Sequence, residues 1–210
     1  MPLDLRIDVY VELICPWCLI GKRNLARALQ QLAASDPDVR VAVQWHAVQL
    51  IPQVPAEGWP FAEFYLKRLG SPEAVLARQA QVKAAAAQAG VEVDFARIAR
   101  FPNTTLAHAL LALAAQQPVG ADAMLERLFA AYFQRGEDIG DRDTLLAVAR
   151  ELGVAADAAR NALATANAPA PADGVSGVPL FVFDGQFSVS GAQPPEVLLS
   201  AIRHTVQARA

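Results

Sequence analysis

Leu13-Ile14-Cys15-Pro16-Trp17-Cys18-Leu19 (LICPWCL) contains both cysteines of this 210-residue chain. The segments on either side of it decide the fold. Before it, Leu5, Ile7, Val9, Val11 and Leu13 alternate with Arg6, Asp8, Tyr10 and Glu12, the period of two that marks a strand. After Pro16 the period changes: Leu19, Leu25, Ala28, Leu29 and Leu32 fall on one face of a helix ending near Ala34, before Ser35-Asp36-Pro37-Asp38. Val39 to Trp45 (VRVAVQW) alternates again as a second strand. A β-α-β opening implies a parallel pair with a right-handed crossover, and the CxxC lies at its strand-to-helix junction.

Ile51 to Pro60 (IPQVPAEGWP) breaks this pattern. Helices are expected next, over 61–69, 71–89, 103–117, 121–134, 142–152 and 155–165. Ser71-Pro72, Asn103 or Thr104, and Asp141 supply start signals, and Gly70, Gly90 and Gly153 supply stops. Asn167 to Gly177 (NAPAPADGVSG) reads as a linker. Leu180–Phe183 and Gln186–Ser190 then read as two strands joined by Asp184-Gly185, a dipeptide suited to positive φ in a hairpin turn. Pro194-Pro195-Glu196 opens a last helix to about Gln207. The expected architecture is one α/β layer domain from residues 1–54 and 170–210, with residues 55–169 inserted as an all-α domain.

The totals agree with a folded domain. Hydrophobic residues make up 54% and charged residues 19%, and the net charge is −3. That excludes a disordered chain and an electrostatic nucleic-acid surface. Mean hydropathy is positive at +0.24, mostly through alanine, and no run approaches the roughly 18 apolar residues of a membrane span. The acidic, alternating start MPLDLRIDVYVEL has no leader pattern, so a cytoplasmic protein with largely reduced thiols is expected.

In that setting CPWC has few readings. Structural zinc needs four ligands, yet there is no second cysteine pair, and His46, His108 and His204 are far apart in sequence. No metal is expected. Covalent haem needs His after the second Cys, where Leu19 stands. Two inert buried thiols would suit scattered cysteines better than a pair at a helix start. The redox reading has a physical cause: unpaired N–H groups and the positive end of the helix dipole favour thiolate at Cys15. Pro16 suits the first helical position, and Trp17 offers either a docking ring or partial burial on the loop. Cys18, one turn on, is placed to attack a mixed disulfide at Cys15. Far along the chain, Pro179 opens a strand that should be central, where proline is tolerated at the strand's start or as a cis peptide. A cis Val178–Pro179 bond would leave the Val178 backbone free to pair with an extended peptide.

Cys15-Pro16-Trp17-Cys18 followed by Ile20-Gly21-Lys22-Arg23 resembles the thioredoxin-fold DsbA family, particularly its FrnE-like branch. Three further segments look like that branch: Asn103-Thr104 with His108; Ala131-Tyr132-Phe133 with Gly136, Asp138 and Ile139; and Gly174-Val175-Ser176-Gly177-Val178-Pro179 with Ser190-Gly191-Ala192-Gln193. The resemblance implies a thioredoxin-like domain with a helical insertion and dithiol–disulfide exchange. In it Cys15 is the nucleophile, Cys18 its partner and Pro179 the facing cis-proline. Pro16, Trp17, Val178, Pro179 and His108 are the expected substrate-binding residues. Two departures stand out: the segment before Gly-Val-Pro is short, and Glu12 stands where many relatives have Asp.

Other polar residues keep two readings each. Glu12 either relays a proton to Cys18 or is an exposed strand-end carboxylate, the latter expected. His108 faces the cleft or is satisfied within the insert. Asn103 is a helix cap first, and Lys22 and Arg23 are expected on a solvated face. The main functional expectation is a thiol–disulfide oxidoreductase acting on a thiol- or disulfide-bearing protein or small molecule. It would need no resident cofactor, with glutathione as the co-substrate considered. No nucleic-acid or membrane partner is expected, and a monomer or homodimer fits. The alternatives are a glutathione-dependent isomerase or transferase, of the 2-hydroxychromene-2-carboxylate isomerase or kappa-class type, and a non-enzymatic chaperone-like binder.

Overall fold

The computed structural model describes residues 3–170, 172 and 174–209. Pro171 and Asp173 of the expected linker lie outside the described residues, as do the first two residues and the last. In chain order the first elements are β1 (Leu3–Val11), α1 (Pro16–Ser35), β2 (Val39–Ala47), β3 (Trp59–Pro60), α2 (Phe61–Leu69) and α3 (Pro72–Gln88). There follow β4 (Arg100–Phe101), α4 (Thr105–Ala114), α5 (Gly120–Ala130), α6 (Arg142–Glu151) and α7 (Ala156–Ala164). The chain closes with β5 (Leu180–Phe183), β6 (Phe187–Ser190) and α8 (Pro195–Gln207). The described residues fall into two compact units, one within Met1–Val48, Ala89–Val91 and Ala172–Ala210, the other within Gln49–Gln88 and Glu92–Pro171.

The first unit is a mixed sheet ordered β2-β1-β5-β6, the α/β thioredoxin-like arrangement expected from β-α-β and β-β-α halves. β1 runs parallel to β2, with Ile7 opposite Val43, and antiparallel to β5, with Val9 opposite Phe181. Leu5, Ile7, Val9 and Val11 are buried because alternate residues of a strand share one face. α1 contributes Leu19, Ile20, Leu25, Ala28 and Leu32 to the same core. Each large apolar side chain so buried contributes about 1.5–3 kcal/mol. α8 packs on α1 and buries Leu198, Ala201 and Ile202. Asp184 (φ 50°) and Gly185 (φ 69°) turn β5 into β6, and the Gln186 N–H closes the turn on the Phe183 carbonyl at 3.0 Å.

The second unit is the inserted helical region. Asp141 caps α6 by accepting the Thr144 N–H at 2.8 Å, and Ser71 Oγ accepts the Ala74 N–H at 3.2 Å at the start of α3. Asn103 sits one residue ahead of the α4 cap, and its Oδ1 accepts the Thr105 N–H at 3.0 Å. Two features depart from the expected run of helices. β3 and β4 pair antiparallel through Trp59 and Phe101, a two-residue match too short for a period to reveal. The helix expected to continue to Gln134 widens at Ala131–Arg135 into a π-helical turn. There the Glu137 N–H reaches back to the Ala131 carbonyl at 2.9 Å, and the Phe133 carbonyl takes the Asp94 N–H at 2.8 Å.

Candidate active site

The strand-to-helix junction is shaped by its own backbone. β1 ends at Val11, and the Cys15 N–H bonds the Glu12 carbonyl at 3.1 Å, a four-residue turn. Cys15 is the N-cap of α1, extended at φ −91° and ψ 109°, with Pro16 in the first turn. Its carbonyl accepts the Cys18 N–H at 3.0 Å and the Leu19 N–H at 3.4 Å. The Cys15 side chain therefore stands where a capping side chain would face the second and third helical N–H groups. As a thiol it makes no capping bond; as a thiolate it gains the Trp17 and Cys18 N–H groups as partners.

Both cysteines are free thiols, Cys15 half-buried and Cys18 fully buried. The Cys18 side chain hydrogen-bonds the Cys15 sulfur, and this is the main reason the Cys15 thiol ionises below its ordinary range. Burial opposes it, the Cys18 and Trp17 N–H groups assist it, and the Glu12 charge pushes back. Cys18 is driven well above its ordinary value, first by burial, then by donating its proton to Cys15 and by the Cys15 charge. Two thiols one turn apart are thus split into an easily ionised one and a proton-retaining one.

The Val178–Pro179 peptide bond is cis, and the Cys15 Sγ lies 3.8 Å from the Val178 carbonyl oxygen, within reach of an S–H donor. Pro179 leads directly into central strand β5, and its carbonyl accepts the Gly191 N–H at 2.8 Å. Asn24 Nδ2 of α1 donates to the Gln193 carbonyl at 2.9 Å. The stretches around 178 and 191 are therefore joined to each other and, through Asn24, to α1. Pro16 and Trp17 are half-buried beside Cys15. His108 is 3% exposed within α4 of the second unit.

Two polar expectations are corrected. Glu12 is not an exposed strand-end carboxylate: its exposure is 0%. The chain turns inward after Val11, and Glu12 Oε1 accepts the Leu13 N–H at 2.6 Å while its own N–H points at Cys18 Sγ, 3.5 Å away. Lys22 is not solvated either. It is 6% exposed, its Nζ 5.8 Å from the centre of the Trp45 ring, a cation–π arrangement, and Arg23 is half-buried. Strand alternation placed Glu12 opposite Leu13, and nothing in the period signals a chain that turns inward there.

The second unit has an open cavity of about 590 Å³ lined by Leu50, Trp59, Phe64, Lys67 and Arg68 among others. Sequence reasoning did not single these residues out; the Pro/Gly-rich break at 51–60 that helps form it was the available signal. Among the described residues, no cluster of three or more His, Cys, Asp or Glu side chains could hold a metal. No helix among them is long and apolar enough to cross a membrane.

A dithiol held in this way on a mixed four-stranded sheet places the chain in the thioredoxin-fold class. Residues 6–203 match the DSBA-like thioredoxin domain, and the chain belongs to that family. Uncharacterized protein YwbO of Bacillus subtilis (strain 168) is 27% identical over 211 residues, 95% of this chain and 96% of that one. The crystal structure of probable DsbA oxidoreductase SCO1869 from Streptomyces coelicolor is similar with a TM-score of 0.85 at 27% identity, covering 98% of this chain and 92% of that one. A 2-hydroxychromene-2-carboxylate isomerase structure shares the fold at 15% identity, with a TM-score of 0.65 over 97% of each chain.

Proposed function

We propose that this protein is a thiol–disulfide oxidoreductase of the DsbA type, FrnE-like branch, acting in a reducing cytoplasm. The observation that carries the reading is the split pair: Cys15 at the N-cap of α1, lowered by Cys18 and two backbone N–H groups, beside a Cys18 held protonated by burial. The Cys15 thiolate attacks one sulfur of a substrate disulfide, forming a Cys15–substrate disulfide and expelling the other sulfur as a thiolate that takes up a proton. Cys18 then loses its proton and attacks the Cys15 sulfur, releasing the second substrate thiolate and leaving a Cys15–Cys18 disulfide. The substrate gains two electrons and the dithiol loses them. Run in reverse, the oxidised pair accepts two electrons from substrate thiols. Where the pair ends as a disulfide, two equivalents of a thiol such as glutathione would return it to the dithiol and leave as their own disulfide. Pro16 and Trp17 flank the attacking sulfur, and the Val178 and Pro179 backbone faces it as the surface for a bound chain.

The 2-hydroxychromene-2-carboxylate isomerase and kappa-class reading has no use for a second thiol, and Cys18 bonds to the first. A chaperone-like binder has no use for either. The test is disulfide reduction with insulin or glutathione disulfide as substrate. Cys15→Ser is expected to abolish turnover, and full activity in that variant would overturn the proposal.

A further inference from the structure

Gly21 lies in the second turn of α1 and is buried. Glycine inside a helix is less favourable than alanine because it fixes a freer backbone. Gly21 is not among the glycines with positive φ, so the helix itself does not require it. The requirement comes from the strand side. A Cβ at Gly21 would stand 2.9 Å from Pro179 Cγ, 3.2 Å from Phe181 Cζ and 3.5 Å from Pro179 Cβ. The first distance is well inside the roughly 3.5–4.0 Å at which carbon atoms attract. The atom it meets belongs to a ring closed onto the backbone, which cannot rotate away as a free side chain can. Pro179 therefore rests on bare helix backbone.

That seat governs the site. Val178, one residue before Pro179, holds its carbonyl 3.8 Å from the Cys15 sulfur, six residues before Gly21 on the same helix. On its other side Pro179 is tied by its carbonyl to the Gly191 N–H at 2.8 Å. Strand β5, which follows at once, is fixed between β1 and β6. The segment is thus held by the sheet on its far side and meets the helix at Gly21 on the other.

We propose that Gly21 is a positioning residue for the dithiol: its missing side chain sets how closely the Val178–Pro179 backbone approaches Cys15, and so fits the site to extended polypeptide disulfides rather than to small ones. This rests on the oxidoreductase reading. A polypeptide must lie along the Val178 backbone while its sulfur reaches Cys15, so misplacing that backbone harms it. A small symmetrical disulfide needs only the sulfur.

The experiment compares wild type, Gly21→Ala, Pro179→Ala and the double variant. The first readout is kcat/KM for a disulfide-bonded peptide and for 2-hydroxyethyl disulfide. The second is the pH midpoint of Cys15 alkylation by iodoacetamide. Gly21→Ala is expected to lower kcat/KM for the peptide by about tenfold or more, a size typical of sub-ångström to ångström misplacement, and to leave the small disulfide within about twofold. Its alkylation midpoint should move to lower pH, because an acceptor for the thiol proton has withdrawn. In the Pro179→Ala background, where the tightest contact, Cγ, is gone while the Phe181 ring at 3.2 Å remains, Gly21→Ala should add much less than in wild type, a non-additivity that marks direct contact. Helix propensity alone would make Gly21→Ala a silent or stabilising change, so wild-type behaviour in that variant overturns the proposal. So do effects of the two substitutions that simply multiply. If Gly21→Ala fails to fold, recovery of folding in the double variant supports the contact and its absence overturns it. Missing peptide turnover in wild type, with Cys15 alkylation intact, refutes the oxidoreductase reading instead; the alkylation midpoints still decide the role of Gly21.

Discussion

The main-chain N–H of Glu12 points at the Cys18 sulfur, 3.5 Å away, while the Glu12 carboxylate folds back so that Oε1 accepts the Leu13 N–H at 2.6 Å. The buried Cys18 thiol and a fully buried carboxylate thus lie side by side at the strand-to-helix junction. The Glu12 charge acts on both sulfurs and opposes ionisation of each. Glu12→Gln keeps the amide geometry and removes that charge. The Cys15 thiolate midpoint, followed by ultraviolet absorbance, is expected to move to lower pH. An unchanged or raised midpoint would show that the carboxylate does not act on the pair.

The split of the two thiols makes the stability of the reduced protein depend on pH in two opposed ways. Cys15 is lowered on folding, so its contribution is present above the ordinary thiol value of about 8.5 and is lost as pH falls through the lower folded value. Cys18 is raised, so its contribution is present below about 8.5 and is lost as pH rises toward its folded value. Stability of the reduced form should therefore peak near the ordinary thiol value of about 8.5 and fall on the alkaline side by up to about 1.4 kcal/mol per pH unit. Cys18→Ala removes the group responsible for the fall. Thermal melts in reductant across pH 7–10, roughly the thiol titration range, should show an alkaline decline in wild type that flattens in Cys18→Ala. An identical decline in both would contradict this.

Asp8 is a buried charged residue of β1. Arg6 donates to it twice, at 2.8 and 2.6 Å, and His46 Nε2 lies 2.6 Å from the same carboxylate, with the Tyr10 ring stacked on His46. Burial pushes the Asp8 carboxyl up, but the hydrogen bonds from Arg6 and His46 pull it further down, so it ends below the usual carboxylate range. Asp8→Asn is expected to cost about 1–3 kcal/mol at neutral pH, toward the low end because the Arg6 side chain is solvent-accessible and screened. A lowered carboxylate stabilises above its unfolded pKa of about 3.9 and loses that contribution as pH falls through the folded value. Urea unfolding should show the gap between wild type and variant closing in acid. A gap that widens there would refute the assignment.

Gly136 ends the π-helical turn at φ 68°, and a Cβ there would stand 2.3 Å from the Arg97 carbonyl oxygen. Two penalties coincide, a left-handed backbone and a backbone collision that no rotamer relieves. Gly136→Ala should destabilise by more than about 2 kcal/mol, measured by denaturant unfolding. A loss below about 0.5 kcal/mol, the range of neutral surface changes, would mean the turn relaxes freely.

The sheet, α1 and the cysteine pair were legible because they rest on local rules. Leu5 to Val11 alternate, Leu19 to Leu32 keep a helical face, and Asp184-Gly185 supplies the positive φ of a hairpin. Glu12 and Lys22 were misjudged because each is polar at a place where local pattern assigns solvent. Their burial is set by the inward turn after Val11 and by the Trp45 ring on β2. Gly21 stands in the quoted motif as a glycine inside a helix, but nothing local says what it touches. Its role is a contact with residues about 160 positions away, which periodicity along the chain does not register. The β3–β4 pair and the π-helical turn escaped for a related reason: two residues are too few for a period, and one extra residue in a helical turn does not change which side chains look apolar.

The most direct test of the division of labour between the two sulfurs is trapping of the mixed disulfide. Reduced Cys18→Ala and Cys15→Ala proteins are each mixed with a disulfide-bonded peptide, and the adducts are read by intact mass near neutral pH. Cys18→Ala should accumulate a stable one-to-one adduct on Cys15, because the thiol that would release it is absent, while Cys15→Ala should remain unmodified over the same interval. Equal adduct formation on Cys18 in the Cys15→Ala protein would contradict the assignment of Cys15 as the attacking thiolate.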